Sequence, residues 1–418
     1  MSRLIKNKIN LIRNLPPELG KRRQDLLSIV EYVIENTRPE NLIRKTSFTM
    51  PARSKKIYVI AIGKAARPMA EAVKNILGKR IKKILFADRG HPLPTQDSIR
   101  NAKKIVDFAV KRSLDDFVIV LVSGGGSVMF TLPVMGVTLS DLITTTSVLL
   151  ASGATIQEMN IVRKHLSQVS GGNLARLLSP AKVLGLVISD VIGNDLSSIA
   201  SGPLTPDSST FKDAICVLKK YKLLKKIPSR VLKHLSKASS ETPKPGSPCF
   251  KNVSMKIIGD HMTVIEKALE KGRQLGYQPI PVTNKLSGES STVATFMTKN
   301  AAHWNKKSKK PLLYISAGET TVTLRGKGAG GRNQEFVLSA LREIDERMTV
   351  LSVGTDGVDG SCPSAVAGAI GDTANKGADI EKYLRDNDSY HYFKKHGGLI
   401  KTGKTRTNLG DLVIIAVS

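Results

Sequence analysis

Short unbroken apolar runs alternate along this chain with longer stretches of helical spacing. Ile57–Ile62, Phe117–Val122 and Val183–Ile188 are β-rich runs, and each stops at a turn bearing glycine or an acid. The first shows the logic. IYVIAI runs into Gly63-Lys64-Ala65-Ala66 and then into PMAEAVKNIL, whose apolar residues recur at helical intervals, so a strand feeds directly into a helix N-terminus. Repetition of this unit predicts a doubly wound α/β layer with its sites at the C-terminal ends of the strands. Further on, NVSMKIIG, a helical stretch over Val264–Leu275 and QPIPVT predict another βαβ unit. Strands are expected at Leu312–Ser316, Thr320–Leu324 and Thr349–Val353, a helix at Asn333–Ile344, and a closing strand at Asp411–Val417.

The chain has 418 residues, 41% of them hydrophobic, which is more than one core usually organises, so two α/β domains are expected. Between Ser236 and Asn252 the segment SKASSETPKPGSPCFKN loses periodicity and collects Pro, Ser and Gly, as an interdomain connection does. The expected domains are 1–245 and 246–418, with the helical segment 1–50 free to pack on either. Cys216, Cys249 and Cys362 lie far apart without a CxxC pair, which argues against a disulfide framework and a structural zinc site. The first residues carry charges every few positions, and no stretch approaches 18 uninterrupted apolar residues, so a soluble cytoplasmic protein with no membrane partner is expected.

The formal charge of +29 favours phosphate and carboxylate ligands and also raises nucleic-acid binding as a rival function. The basic runs, such as Lys79–Lys83 and Lys306–Lys310, are spread over the chain, and aromatic residues make up only 5% of it. A single-strand reader needs stacking platforms beside its cations, so these runs read as a solvated surface with no specific nucleic-acid partner.

Five segments carry candidate chemistry. Lys64 stands at a helix N-terminus, where backbone N–H groups already favour an anion. Ser123-Gly124-Gly125-Gly126-Ser127 follows the run FVIVLV, and its glycines let the backbone approach a phosphate closely. Asp190 ends the strand VLGLVI, placed to hold Mg²⁺ or to accept a hydroxyl proton, with Asn194 in the turn that follows. Arg332 enters a helix from GAGG, where its planar fork can grip a carboxylate or a transferring phosphoryl group. Thr355-Asp356-Gly357-Val358-Asp359-Gly360 supplies two further acids, one for metal and one to orient a nucleophile. Gly398 to Thr405 satisfies the P-loop pattern literally. It follows polar residues and precedes a strand-like run, whereas a P-loop follows a buried strand and opens a helix, so that assignment is rejected.

The ordered set VIAIGKAA, GHPLPTQDS, LVSGGGS, ASGATIQEMNIVRKHLSQVSGGNLA, SDVIGNDLSSIASGPLTPDSSTF, AGETTVTLRGKGAGGRNQEF, GTDGVDGSCPSAVAGAIGD and LIKTGKTRTNLGDLVII resembles the glycerate 2-kinase family from about Ile57 to the end. The resemblance implies a Rossmann-like α/β/α domain, a C-terminal mixed α/β domain of the MOFRL type, and an active site in the cleft between them. It implies transfer of the ATP γ-phosphoryl group to D-glycerate at O2, giving 2-phosphoglycerate, with Mg²⁺ or another divalent cation. A related hydroxy acid as acceptor and 3-phosphoglycerate as product stay open, as does homodimerisation.

By matching motif, Lys64 and Arg332 contact the substrate carboxylate and the transferring phosphate, with Asn160, Arg163 and Asn408 as further substrate contacts. Asp190 and Asp356 are the acids near metal or nucleophile, Asp359 a further metal candidate. Residues Ser123 to Ser127, Asn194 and Glu319 are assigned to the nucleotide. Ser170 stands where similar sequences often carry lysine, Val128-Met129 replace smaller residues, and Lys404 replaces a common proline. A phosphatase or reductase acting on hydroxy acids is the rival enzyme class; a dinucleotide reductase should show G-x-G-x-x-G after a strand with an acid about twenty residues on, and no segment offers that combination.

Overall fold

The computed structural model describes residues 4–47, 55–90, 93–304 and 310–418. His91 and Pro92 of the GHPLPTQDS stretch and residues 306–309 of one basic run lie outside the described residues. The chain divides into two compact units, Ile43–Ile258 on one side and the residues up to Leu42 together with Gly259–Ser418 on the other.

In the unit Ile43–Ile258, the strands are β1 (Lys56–Ile62), β2 (Ile81–Ala87), β3 (Asp116–Val122), β4 (Lys182–Ile188) and β5 (Val253–Gly259), in the order β2-β1-β3-β4-β5. The β1–β2, β1–β3 and β3–β4 pairs are parallel. β3 is buried at every position, as expected of a strand covered on both faces. Ile60, Ile62, Val118, Val120, Val122 and Val187 form a core with Ile105 and Phe108 of the helix Gln96–Ala109 and Leu174 and Leu178 of the helix Asn173–Leu178.

A second apolar cluster in this unit joins four helices, Leu139–Ala151, Ile156–Lys164, Phe211–Lys220 and Ser229–Lys237. Three of them start at a capping box, with Thr138 and Asp141, Thr155 and Glu158, and Thr210 and Asp213 each exchanging side-chain and backbone bonds. Glu158 also accepts from Lys220 and Tyr221. The Lys220 bond first, then the Thr155 N–H and Tyr221, lower its carboxyl pKa to about 2.

NVSMKIIG differs from the expectation. It forms β5, the last strand of the first sheet, where Asn252 C=O accepts from Val183 N–H at 2.8 Å. The passage to the other unit therefore falls at Ile258–Gly259, after the Pro/Ser-rich stretch and not within 236–252. Loss of periodicity marked a loop, but the strand after the loop pairs backward.

The other unit holds β6 (Gln278–Leu286), β7 (Leu312–Gly318), β8 (Met348–Gly354), β9 (Gly368–Gly371), β10 (Leu399–Ile400) and β11 (Asp411–Val417), in the order β10-β9-β8-β11-β7-β6. β11 is antiparallel to both β7 and β8, and β6 is parallel to β7. Pro279 and Pro281 lie in β6, an edge strand, where a missing N–H is tolerated. The helix Pro17–Asn36 belongs to this unit, and its Arg23 donates to both oxygens of Asp372 at 2.6 and 2.7 Å with both side chains buried.

Thr320–Leu324 is not a strand. Only Thr321 makes a bridge, to Glu289, and the Thr323 N–H and hydroxyl bond the Glu289 carboxylate, while Arg325 and Gly326 N–H groups bond Asn387 Oδ1. Within the segment the Thr321 N–H goes to Gly288 O at 2.8 Å and the Thr323 N–H to a side chain, so no continuous ladder forms. After β10, no helix follows the P-loop look-alike; the chain runs irregularly to β11.

Candidate active site

A parallel sheet of order 2-1-3-4 has its topological switch point between β1 and β3, and ligands bind outside the carboxyl ends of the strands there. Lys64 follows β1, Ser123 to Ser127 follow β3, and Asp190 follows β4. The structure thus gathers three of the expected elements at one edge of one sheet.

The turn after β1 and the loop after β3 are laced together. Lys64 N–H donates to Gly124 O at 2.9 Å, Ala65 N–H to Ser123 Oγ at 3.0 Å, and Ser123 Oγ in turn to Ile62 O at 3.1 Å. Gly63 has φ +101°, and a Cβ there would lie 2.3 Å from Ser123 O. A Cβ on Gly124 would lie 1.9 Å from Asp190 Oδ2. Glycine is therefore required at both positions, and the Asp190 carboxylate rests directly against the loop backbone. The Lys64 side chain is exposed and makes no hydrogen bond or ion pair among the described residues.

Ser127 ends this loop. Its hydroxyl accepts from Ser201 Oγ at 2.9 Å and its carbonyl from Arg163 Nη2 at 3.1 Å. No carboxylate lies within ion-pair distance of Arg163 among the described residues, and burial lowers the pKa of its guanidinium. Asn160, one turn earlier on the same helix, is buried with Oδ1 unpartnered. Asn194 sits in the turn after β4 at φ +59°.

In the other unit, Asp411 pairs with both Gly318 and Gly354 across the antiparallel ladders. That register brings Glu319 after β7, Asp356 after β8 and Asp411 at the start of β11 to one sheet edge. Arg332, first residue of the helix Arg332–Ala340, donates from Nε and Nη2 to the two oxygens of Asp411 at 2.5 and 3.0 Å, and its Nη1 lies 2.8 Å from Glu319 Oε1. Burial works to lower the Arg332 pKa, but the Asp411 bond and the charges of Asp411 and Glu319 more than reverse this, so it is raised.

Asp359 is buried and caps the helix. Its Oδ1 accepts from Asn333 N at 3.0 Å and Nδ2 at 3.2 Å, its Oδ2 from Gln334 N at 2.9 Å and Nε2 at 2.8 Å. Burial pushes its pKa up while these donors pull it down. Both oxygens already have two donors, an arrangement that serves the helix terminus and not a metal. Asp356 is half-buried and accepts from Val358 N–H at 3.0 Å. Asn408 lies in the half-buried approach to β11, beside Leu409, whose N–H donates to Thr355 Oγ1 at 2.9 Å.

Neither Asp411 nor Ser201 is given a role by the sequence analysis. Asp411 read only as the first residue of a strand; a carboxylate opening an otherwise wholly apolar run, DLVIIAV, is the signal that could have found it.

A sheet whose switch point carries a glycine loop, a lysine and a carboxylate, followed by a mixed sheet with an arginine held at its edge, defines a two-unit α/β class. The chain matches the family models described as "Domain of unknown function (DUF4147)", over residues 25–236, and "MOFRL family", over residues 312–411. The chain is 39% identical over 391 residues to the glycerate 2-kinase of Pyrococcus horikoshii, covering 87% of this chain and 88% of that protein. It is 38% identical over 418 residues to the D-glycerate 2-kinase of Thermotoga maritima, covering 93% and 96%. The crystal structure of glycerate kinase from Thermotoga maritima superposes with a TM-score of 0.86 at 36% identity, over 96% of this chain and 100% of that one. The chain belongs to the glycerate 2-kinase family.

Proposed function

We propose that this chain is a cytoplasmic ATP-dependent kinase of D-glycerate that phosphorylates O2 and gives 2-phosphoglycerate. The observation that carries this reading is the convergence of Lys64, the Ser123–Ser127 loop and the Asp190 carboxylate at the switch point of one parallel sheet. Phosphoryl transfer asks a protein chiefly for positioning and charge neutralisation, and these groups supply both. The loop backbone takes the donor phosphates. Lys64, unpaired, attracts the acceptor's carboxylate or the transferring group, and Arg332 is the second cation that the matching motif assigns to phosphate or carboxylate.

The divalent cation fits Asp190, because Mg²⁺ is usually held by one or two carboxylates together with substrate phosphates and water. Among the described residues no group of three or more His, Cys, Asp or Glu is placed to hold a metal ion by itself. When bound, Mg²⁺ would neutralise charge on the phosphates. Asp356 and Asp190 are the two acids available to orient the attacking hydroxyl. Among the described residues no helix is long and apolar enough to cross a membrane.

The test is NMR of the product made by the purified chain from D-glycerate, ATP and Mg²⁺. 2-Phosphoglycerate supports the proposal, 3-phosphoglycerate overturns the assigned position, and no phosphorylated product overturns the activity. Oxidation of NADH with hydroxypyruvate, run in parallel, would favour the reductase reading.

A further inference from the structure

A cavity of about 210 Å³ opens beside the glycine loop within the unit Ile43–Ile258, walled by Leu93, Val128, Phe130, Leu142 and Leu150 and by hydroxyls that include Ser127 and Ser170. Arg163 lines it too. Three features describe what it would hold.

The first is charge. Arg163 has no carboxylate partner among the described residues, and no acid lines the cavity. A charge withdrawn from water without a counter-ion is costly, so the cavity favours an anionic ligand. Because Arg163 bonds the Ser127 carbonyl, that anionic end lies at the loop.

The second is apolar surface. Leu93 and Leu150 are 58% and 68% exposed although both line the cavity. Large apolar side chains left in water around a pocket mark a surface that a ligand covers. Glycerate, with an oxygen on each of its three carbons, would leave them uncovered.

The third is size. At about 210 Å³ the cavity falls below the roughly 300–1,000 Å³ of pockets that enclose a whole drug-sized ligand, so of a nucleotide it has room for the base and not for the whole molecule.

On these grounds, and resting on the kinase reading above, we propose that the cavity seats the base of the nucleotide donor, with Leu93, Val128 and Leu150 against the ring and the phosphates running past Arg163 onto the glycine loop. The cavity then selects a nucleotide over a bare phosphate chain. Arg163, expected from the sequence to meet the acceptor, becomes a donor contact.

The experiment compares ATP with inorganic tripolyphosphate, which carries the phosphates without a base, by isothermal titration of the full chain with Mg²⁺. Ser147→Trp fills the cavity from an exposed position on the helix Leu139–Ala151, and Leu150→Asp places an acid where the base would lie. In both variants ATP affinity should fall about tenfold or more while tripolyphosphate affinity stays within about twofold for Ser147→Trp. The KM for ATP should rise in step, with the KM for glycerate unchanged.

Equal loss for both ligands in Ser147→Trp, or no loss of ATP affinity in either variant, overturns the proposal while leaving the kinase reading intact. A rise in the glycerate KM alone assigns the cavity to the acceptor and overturns it as well. If the wild-type chain neither binds ATP nor phosphorylates glycerate, the kinase reading itself fails. Equal melting temperatures establish that the variants fold.

Discussion

Arg332 and Arg23 each lie against a carboxylate with two parallel bonds, to Asp411 and Asp372, whereas Lys64 and Arg163 in the other unit face no carboxylate among the described residues. Both are arrangements of positive charge near strand ends, but they solve different problems. A bidentate arginine is fixed in direction and partly neutralised before any ligand arrives, so it offers geometry. An uncompensated cation offers attraction, and the backbone around it must supply the geometry. In the unit Ile43–Ile258 the glycine loop does so, with the Asp190 carboxylate resting on its backbone.

Substitutions at four positions break or sharpen this contrast. Arg332→Ala has the largest expected effect: if Arg332 stabilises the transferring charge, kcat falls on the order of 10³–10⁵-fold. Steady-state turnover with folding checked by circular dichroism measures it, and near-normal turnover would remove Arg332 from the reaction. Arg332→Lys should rescue little, because an ammonium cannot reproduce the fork on Asp411.

Asp372→Ala comes next and tests clamping without catalysis. It leaves Arg23 buried and unpaired and should cost about 3–5 kcal/mol of stability in urea denaturation. Little change there would mean that water reaches the pair.

Gly124→Ala tests the backbone-built edge. The added methyl collides with Asp190 and must displace either the loop or the carboxylate, and a displacement of about 1 Å at a reacting site costs on the order of 10²-fold in rate. Unchanged kcat would show that neither element is near the chemistry.

Lys64→Met is the mildest. Loss of one charge-assisted bond of about 1.5 kcal/mol lowers kcat/KM for glycerate roughly tenfold. Its melting temperature should not change, since Lys64 is exposed and holds nothing in place. A fall in melting temperature would place Lys64 among the structural cations instead.

Much of this was legible from residue order. β1, β3 and β4 read as apolar runs because strands buried on both faces must be apolar throughout, and the turns after them carried the glycine, lysine and acid by which a strand-end site is recognised. What did not read were features made by partners distant in sequence. β5 pairs backward across a proline-rich stretch, and local composition records the stretch but not the pairing. Thr320–Leu324 has the residues of a strand, yet its Thr321 and Thr323 donors go to Gly288 and Glu289, more than thirty positions away, and the next two N–H groups, of Arg325 and Gly326, go to Asn387. Asp359 resembles a metal ligand in its motif, and only the position of the Arg332–Ala340 helix shows that its oxygens are taken. The cavity beside Arg163 brings Leu93, Val128 and Leu150 together from three segments, none of which announces it.

The chain sets out in one unit, builds the whole of another from residues 43–258, and then returns to finish the first. During synthesis the helix Pro17–Asn36, with Leu26, Leu27, Val30 and Val33 destined for burial, therefore emerges long before the strands it joins. The strands it contacts begin at Met348 and Asp411, so at about 5–20 residues per second the interval is on the order of 15–75 s. Through that interval the helix's apolar face waits for partners that are made only after residues 43–258 have emerged.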